Sequence, residues 1–214
     1  MSEADLKTVR EWLERAAAGD AESWRLLLEL YHARLRRMVA DRMDPRLQGR
    51  VDPSDVLQNA YVEAIRQLKK YLDKETLPFF LWLRCLVGSQ LARTHRRHLG
   101  TQQRDAGREV PLDQPAPDMS SAVLAQCLLG ECERPSEEAA RAELRERLQS
   151  LLERLSDADR EVLALRHFEQ LSTAETAAVL GISTSAAGKR YIRALDRLRD
   201  QLADDPEILE GWRP

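Results

Sequence analysis

Apolar residues recur at the helical period along most of this chain, and segments typical of β-strands are nearly absent. Leu, Ala, Arg and Glu, which are good helix formers, dominate the composition. Capping signals divide the pattern into separate helices, since Asp20 precedes one, Asp52-Pro53 a second and Leu77-Pro78 a third. We therefore predict an all-α fold.

Between residues 101 and 137 the helical pattern stops, and four prolines occur among scattered polar residues. We interpret this acidic segment as a linker with a short helix over Ala122–Leu129. It separates a helical domain at residues 1–100 from a second at 138–204, which a short tail follows at 205–214. In the second domain, Ser156-x-x-Asp159 and Ser172-x-x-Glu175 are capping-box patterns that predict two helix starts.

Several classes of protein are excluded by composition. No apolar run in the 214 residues approaches the roughly 18 needed to cross a bilayer. The first ten residues include acidic side chains and no apolar stretch, so we expect no secretory signal. Three cysteines, Cys85, Cys127 and Cys132, are an odd number at spacings that predict no disulfide framework. These features predict a cytoplasmic protein without membrane insertion.

The net charge of −3 conceals an uneven distribution along the chain. Residues 31–50 hold six Arg and two Asp, and residues 181–199 hold five basic residues and one acid. Residues 111–140, between them, hold one Arg and six acids. Two basic segments separated by an acidic one are compatible with nucleic-acid binding, and solvated helix surfaces would give the same pattern.

The most specific pattern lies at residues 171–198, where a short helix, a glycine turn and a basic helix follow one another. Gly181 supplies the left-handed turn conformation. On a helical wheel of the basic helix, an apolar face lies opposite a basic stripe that includes Ala186, Lys189, Arg190, Arg193 and Arg197. Such a stripe suits a helix in the major groove, where Arg and Lys reach phosphates and guanine edges. An amphipathic hairpin with a solvated polar face is the alternative.

The helix that begins at Pro53 has two contrasting halves. The apolar half consists of Val56, Leu57, Ala60, Tyr61, Ala64, Ile65 and Leu68. The other half carries Val62 among polar residues, namely Asp55, Gln58, Asn59 and Arg66. An apolar residue within a polar ring is typical of a small protein-docking surface, although single exposed hydrophobes are also ordinary.

The helix predicted to begin near Leu77-Pro78 has a buried apolar face. Trp82 is predicted at the edge of that face, as a core residue rather than a base-stacking platform. Arg84, Ser89 and Arg96 are predicted to lie outside that face. The helix ends in the basic run Arg93–His98, which also complements the helix dipole.

Together these motifs resemble a bacterial RNA polymerase sigma factor of the extracytoplasmic-function (ECF) type, in particular its planctomycete-like branch. The sequence DVLQNAYVEA at residues 55–64 is similar to the family's motif for docking on the β′ clamp helices of RNA polymerase. The sequence FLWLR at residues 80–84 resembles the start of the helix that opens and reads the −10 promoter element. Residues 155–163 and 171–198, and GISTSAAGKRYIRA at 181–194 above all, resemble the helix-turn-helix domain that reads the −35 element.

The resemblance implies a protein that is not an enzyme and needs no cofactor or metal. Its implied partners are core RNA polymerase (β′ clamp helices and β flap), promoter DNA and an anti-sigma factor. The implied polymerase contacts are Asp55, Gln58, Asn59, Val62 and Arg66. The implied −10 contacts are Asp73, Lys74, Thr76, Trp82, Arg84, Ser89, Arg93, Arg96 and Arg97, with the loop Leu72–Leu77 holding a flipped-out base. The implied −35 contacts are Ser185, Ala186, Lys189, Arg190, Arg193 and Arg197.

Three positions depart from the family pattern and leave the promoter contacts open. Ser89 and Arg93 stand where relatives usually carry Asn and Asp, and Gly188 stands where Lys is common.

Three other functions compete with this interpretation. A stand-alone helix-turn-helix transcriptional regulator explains residues 138–204 but leaves the first domain without a role. A helical adaptor would dock to partners without binding DNA. A metal-dependent enzyme could use His95-x-x-His98, which can place two imidazoles on one helix face, but no further metal or phosphate-binding motif accompanies the pair.

Overall fold

The computed structural model describes residues 3–74, 76–99, 116–117, 119, 121–122, 124–125 and 138–203. Within these residues the regular secondary structure is helical and contains no strand, which confirms the predicted all-α fold. The chain divides into two compact units, Met1–Pro117 and Asp118–Pro214. Most of the predicted linker and the predicted tail lie outside the described residues. In the part of the chain described, no helix is both long and apolar enough to span a membrane.

The first unit contains long helices whose starts follow the predicted caps. They are α1 Glu3–Ala17, α2 Ala21–Arg42, α3 Pro53–Lys74 and α4 Phe79–Leu99, with a short 3₁₀ turn at Pro45–Leu47. The Asp20 carboxylate accepts a hydrogen bond from the backbone N–H of Glu22 at 3.1 Å, and Asp52 accepts one from Ser54 at 2.7 Å. Both bonds satisfy N–H groups that a helix start leaves without a partner, and both confirm the predicted starts.

The core of this unit lies where α4 packs against α3 and α2. Leucines from the three helices are buried there, among them Leu27, Leu57 and Leu83. An aromatic cluster joins α2, α3 and α4 and consists of Trp24, Tyr31, Tyr71, Phe79, Phe80 and Trp82. The Tyr71 hydroxyl donates a hydrogen bond to the carbonyl of Leu77 at 2.9 Å, which ties the end of α3 to the turn before α4.

The second unit contains shorter helices and is arranged around its last one. They are α5 Glu138–Glu153, α6 Asp157–Leu163, a π-helical turn Ala164–Phe168, α7 Thr173–Leu180 and α8 Thr184–Ala203. The Ser156 hydroxyl caps α6, and Ser172 with Glu175 forms a complete capping box at α7, as the sequence predicts. α8 packs chiefly against α6 and α7, so the core lies beneath one face of α8.

Residues of the predicted linker contribute to that core. Met119, Leu124 and Ala125 are buried with apolar residues of α5, α6 and α8. The backbone at Ser121, Ala122, Leu124 and Ala125 is helical, within or next to the predicted short helix, whose residues 126–129 lie outside the described part. The apolar residues at 119, 124 and 125 therefore belong to the second unit.

Candidate nucleic-acid interface

α8 buries one face and exposes the other, as its sequence predicts. Its buried residues are Ala187, Ala194, Leu198 and Leu202, with Tyr191 and Leu195 partly buried beside them. Of the predicted DNA contacts, four side chains are exposed and two are partly buried. Ser185, Lys189, Arg193 and Arg197 are exposed, and Ala186 and Arg190 are partly buried. The predicted orientation of the basic stripe is confirmed, and its contact with DNA stays a prediction.

The turn before α8 fixes where that helix begins. Gly181 adopts the left-handed conformation with φ +64°, which a residue with a Cβ adopts at a cost. The Ile182 N–H donates to the carbonyl of Ala177 at 3.0 Å, and the Ala186 N–H donates to the Ser183 hydroxyl at 3.2 Å. A three-residue turn thus joins α7 to α8, and the first two residues of α8, Thr184 and Ser185, are exposed.

Three arginines of α8 line a cleft in the second unit. Arg190, Arg193 and Arg197 border it together with Ala186 and with Asp159 of α6. Asp159 Oδ2 forms an ion pair with Arg197 Nη1, and Arg193 Nε donates to the carbonyl of Lys189 at 3.3 Å. Sequence analysis identified Asp159 as a capping residue and missed this pair, because nothing in a helical wheel relates residues 38 positions apart.

The predicted polymerase-docking surface lies along one exposed face of α3. Asp55, Gln58, Asn59, Val62 and Arg66 are all exposed, and Val62 retains 51% of its accessible surface. Their spacing of three or four residues places them on one side of the helix. The predicted exposure of these five residues is confirmed.

One residue of the predicted apolar half of α3 is misplaced. Ile65 is 50% exposed rather than buried, so it adds apolar surface next to the face that carries Val62. Tyr61, at the edge of the buried half, places its hydroxyl 3.3 Å from Nδ1 of His32, and burial raises the pKa of Tyr61 to about 12. The buried half of α3 is therefore narrower than the wheel indicates, because neighbouring helices leave Ile65 half exposed.

The prediction that Arg84 and Ser89 lie outside the apolar face of α4 is wrong. Each is only 3% exposed. The reason is that α4 is buried on most sides, with ten buried residues between Phe79 and Leu91, so it has no single solvent face in that stretch. As placed here, neither side chain is available to DNA.

The remaining predicted −10 residues lie at the two ends of α4 and at the end of α3. Asp73, Lys74, Thr76, Arg96 and Arg97 are exposed, while Trp82 and Arg93 are partly buried. The Trp82 ring stacks on Tyr71 with centroids 4.5 Å apart, and its contact with DNA stays a prediction. The predicted loop Leu72–Leu77 begins later than expected, because α3 continues to Lys74.

Residues 116 and 117, which belong to the predicted linker, pack on α2 and α4. A Cβ built on Gly88 would lie 2.6 Å from Cβ of Ala116, closer than real Cβ atoms approach other atoms. Arg42, which is 3% exposed, donates from Nη1 to the carbonyl of Pro117 at 2.7 Å. The basic window at residues 31–50 is therefore not all surface, and a glycine inside α4 was the available sequence signal for this close packing.

The two histidines of the enzyme hypothesis, His95 and His98, lie in different surroundings. His95 is partly buried, and its Nε2 accepts a hydrogen bond from the backbone N–H of Asp44 at 3.3 Å. Burial lowers the pKa of His95, whereas His98 is exposed. Among the described residues, no group of three or more His, Cys, Asp or Glu side chains could hold a metal ion. Cys127 and Cys132 lie outside the described residues.

Comparison with known proteins identifies the class. The family described as ECF sigma factor matches residues 6–204, so the chain belongs to the ECF sigma factor family. This match extends over both units, which a stand-alone regulator confined to residues 138–204 does not explain. The protein is a sigma factor, which directs transcription initiation, and sigma factors are not enzymes.

Individual relatives are similar over most of their length. The ECF RNA polymerase sigma factor SigD of Mycobacterium tuberculosis (strain ATCC 25618 / H37Rv) is 30% identical over 188 residues, which cover 87% of this chain and 80% of that protein. The ECF RNA polymerase sigma factor ShbA of Streptomyces griseus is 30% identical over 206 residues, 93% of this chain and 97% of that protein. The solved structure of CnrH in complex with the cytosolic domain of CnrY has a similar fold, with a TM-score of 0.55 and 23% identity, covering 92% of this chain and 99% of that chain.

Proposed function

We propose that this sigma factor divides its work between three helices: α8 reads the −35 element, the ends of α3 and α4 contact the −10 region, and α3 docks on core RNA polymerase. The proposal rests on the separation of core residues and basic residues on opposite sides of α8. One face supplies four core residues, and the opposite side presents Lys189, Arg193 and Arg197 along the helix.

For the −35 element, we assign base reading to the first turns of α8. Ser185, Lys189 and Arg193 are exposed there, and side chains of these types reach base edges and phosphates in the major groove. Ala186 leaves room beside them for close approach of the DNA. α7 and α8 then act as the two helices of a helix-turn-helix.

For the −10 region, burial reduces the predicted contacts to two groups. One group lies at the end of α3 and the following turn: Asp73, Lys74 and Thr76. The other lies at the basic end of α4 and consists of Arg93, Arg96 and Arg97. Positive charge at that helix end favours the DNA backbone, and the exposed polar residues after α3 are available to an unpaired base.

For core polymerase, the proposal assigns the β′ clamp helices to the α3 surface of Asp55, Gln58, Asn59, Val62 and Arg66. The adjoining Ile65 extends its apolar centre, and an apolar centre with a polar rim is the usual anatomy of a protein interface. The β flap is assigned to the second unit from the family resemblance.

Other parts of the proposal rest on the family resemblance. They are regulation by an anti-sigma factor, a cytoplasmic location beside the polymerase, the absence of any catalytic activity, and membership of the planctomycete-like branch. The relatives described above come from Mycobacterium and Streptomyces and give that branch no support.

A transcription assay tests the main proposal. Core RNA polymerase is mixed with the full chain and a promoter library, and the transcripts are sequenced. We expect initiation at a defined class of promoters that disappears when the chain is omitted. Failure of the chain to bind core polymerase would overturn the proposal.

Two variants test the polymerase-docking surface on α3. Asp55→Arg combined with Gln58→Ala should weaken polymerase binding, because it reverses a charge and shortens a polar contact on the α3 surface. Glu11→Arg, which reverses the charge of an exposed acid on α1 of the same unit, is the matched control and should leave polymerase binding unchanged. If the double variant binds core polymerase like the control, the α3 assignment is wrong.

A further inference from the structure

We propose that Asp159 is a positioning residue for promoter binding: it holds the Arg197 guanidinium by one edge so that the other edge contacts a DNA phosphate beside the −35 element. This inference rests on the proposed binding of α8 to that element. It assigns a DNA-binding role to a residue that itself does not touch DNA.

The two partners of the ion pair differ in exposure. The Asp159 side chain is 6% exposed, whereas the Arg197 side chain is 56% exposed. The ion pair joins one guanidinium nitrogen of Arg197, Nη1, to Oδ2 of Asp159. A guanidinium has five N–H donors in a planar fork, so the edge turned away from Asp159 retains donors that can meet an oxyanion.

The carboxylate of Asp159 has a fixed position. Asp159 occupies the first turn of α6, where its own N–H donates to the Ser156 hydroxyl at 3.2 Å. A carboxylate at a helix N-terminus is favoured by the helix dipole. A buried carboxylate on a capped helix is therefore a rigid support for a long side chain from α8.

The cleft around the ion pair is positively charged. Arg190 and Arg193 line it together with Arg197, so three cations surround one carboxylate. Ala186 contributes a small side chain to the same cleft and leaves room there. The excess of positive charge favours an anion, and phosphate is the anion that DNA offers at the edge of a groove.

The place of Arg197 along α8 indicates a phosphate rather than a base as its ligand. At 1.5 Å per residue, Arg197 lies roughly 18 Å along the helix from Ser185. The major groove is about 12 Å wide, so a helix whose first turns contact bases brings its fourth turn to the sugar-phosphate backbone. Contacts of that kind set the register of a protein on DNA without reading sequence.

A test compares four holoenzymes made with core polymerase and full-length chain: wild type, Asp159→Asn, Arg197→Ala and the double variant. Promoter affinity is measured over a range of salt concentrations. We expect Asp159→Asn to weaken binding by about three- to tenfold, the cost of ordering one long side chain. The slope of log affinity against log salt should fall by about 0.9, the value for one phosphate contact. The double variant should bind no more weakly than Arg197→Ala alone.

Two further variants keep the test independent of folding effects. Asp157→Asn makes the same charge change in the same turn of α6, where the carboxylate is 78% exposed and pairs with Arg160, and it should leave affinity and slope unchanged. Arg197→Lys keeps a positive charge beside Asp159 but loses the planar fork, so it should reproduce the loss of affinity and slope in a chain that retains the ion pair.

The outcomes distinguish this inference from the proposed function. If Asp159→Asn weakens binding equally when residue 197 is already Ala, or if it leaves the salt slope unchanged, Asp159 is a structural clip between α6 and α8 and the inference is overturned. If Arg193→Ala also has no effect on promoter binding, α8 does not contact the −35 element and the proposed function fails.

Discussion

Two helices of this sigma factor, α4 and α8, carry most of the residues that the sequence nominates for promoter contact, yet the structure treats them differently. α8 exposes four of its six nominated residues and buries none fully. α4 buries Arg84 and Ser89 in its middle and exposes Arg96 and Arg97 at its end. The comparison shows that a helical wheel locates a functional face when a helix is covered from one side, and fails when it is covered from several.

The physical cause lies in what packs against each helix. α8 packs chiefly against α6 and α7, and its four buried residues share one face, so the opposite side stays exposed. α4 is covered by α3 and α2, and Ala116 also contacts it at Gly88. A polar residue in such a helix, like Arg84 or Ser89, is buried together with the groups that it contacts. It then contributes to the packing of the unit rather than to its surface.

The largest expected effect is the loss of stability when a buried arginine of α4, rather than an exposed arginine of α8, is substituted. Arg84→Ala should lower the free energy of unfolding by about 2 kcal/mol or more, because it removes a buried side chain and leaves its interaction partner unsatisfied. Arg193→Ala should change stability by less than about 0.5 kcal/mol, since Arg193 is exposed on α8. Chemical denaturation of both variants measures the difference. Equal losses of stability would contradict the assignment of Arg84 to the packing.

A smaller effect compares two glycines inside the same two helices. Gly88→Ala should destabilise the protein by roughly 1–3 kcal/mol, because its Cβ would overlap Ala116. Gly188→Ala should instead stabilise it by up to about 1 kcal/mol, since the new Cβ would lie 3.7 Å from Cγ2 of Thr173 and Ala is the better helix former. Thermal unfolding of the pair tests the packing of Ala116 on α4. Stabilisation by both substitutions would show that Ala116 does not lie against Gly88.

The smallest effect is a pH dependence at the end of α4. Burial lowers the pKa of His95 below its ordinary value of 6.5, with a lesser opposing influence from Asp44. The unfolded chain therefore binds a proton more readily than the folded protein. The stability that the neutral His95 contributes is complete above pH 6.5 and is lost as the pH falls from there toward the lowered pKa.

His95→Gln should flatten this part of the stability profile, because the substituted side chain does not titrate. The matched control is His98→Gln, which removes an exposed histidine from the same helix end. A flattening of the same size in both variants would show that the environment of His95 is not responsible.

The sequence predicts the fold well where the signals are local. Asp20, Asp52, Ser156, Ser172 and Gly181 mark helix ends that the structure confirms, because capping bonds and left-handed turns involve residues a few positions apart.

Local signals do not predict contacts between distant residues. The pairing of Asp159 with Arg197 and the bond from Arg42 to Pro117 depend on how helices pack, which a wheel does not contain. The exposure of Ile65 has the same origin, because it depends on which residues of α3 the neighbouring helices bury. The family resemblance, in contrast, predicted the class from motifs in both units, and the match over residues 6–204 confirms it.

Promoter selection by a holoenzyme with an altered α8 is the most direct test of whether α8 reads the −35 element. Wild-type and Arg193→Ala chains are each combined with core polymerase, and initiation is measured on a library randomised across the −35 and −10 regions. We expect Arg193→Ala to relax the preference at one or two adjacent −35 positions, by about 1–3 kcal/mol, and to leave the −10 preference unchanged. An unchanged −35 preference, or an equal change at both elements, would contradict this expectation.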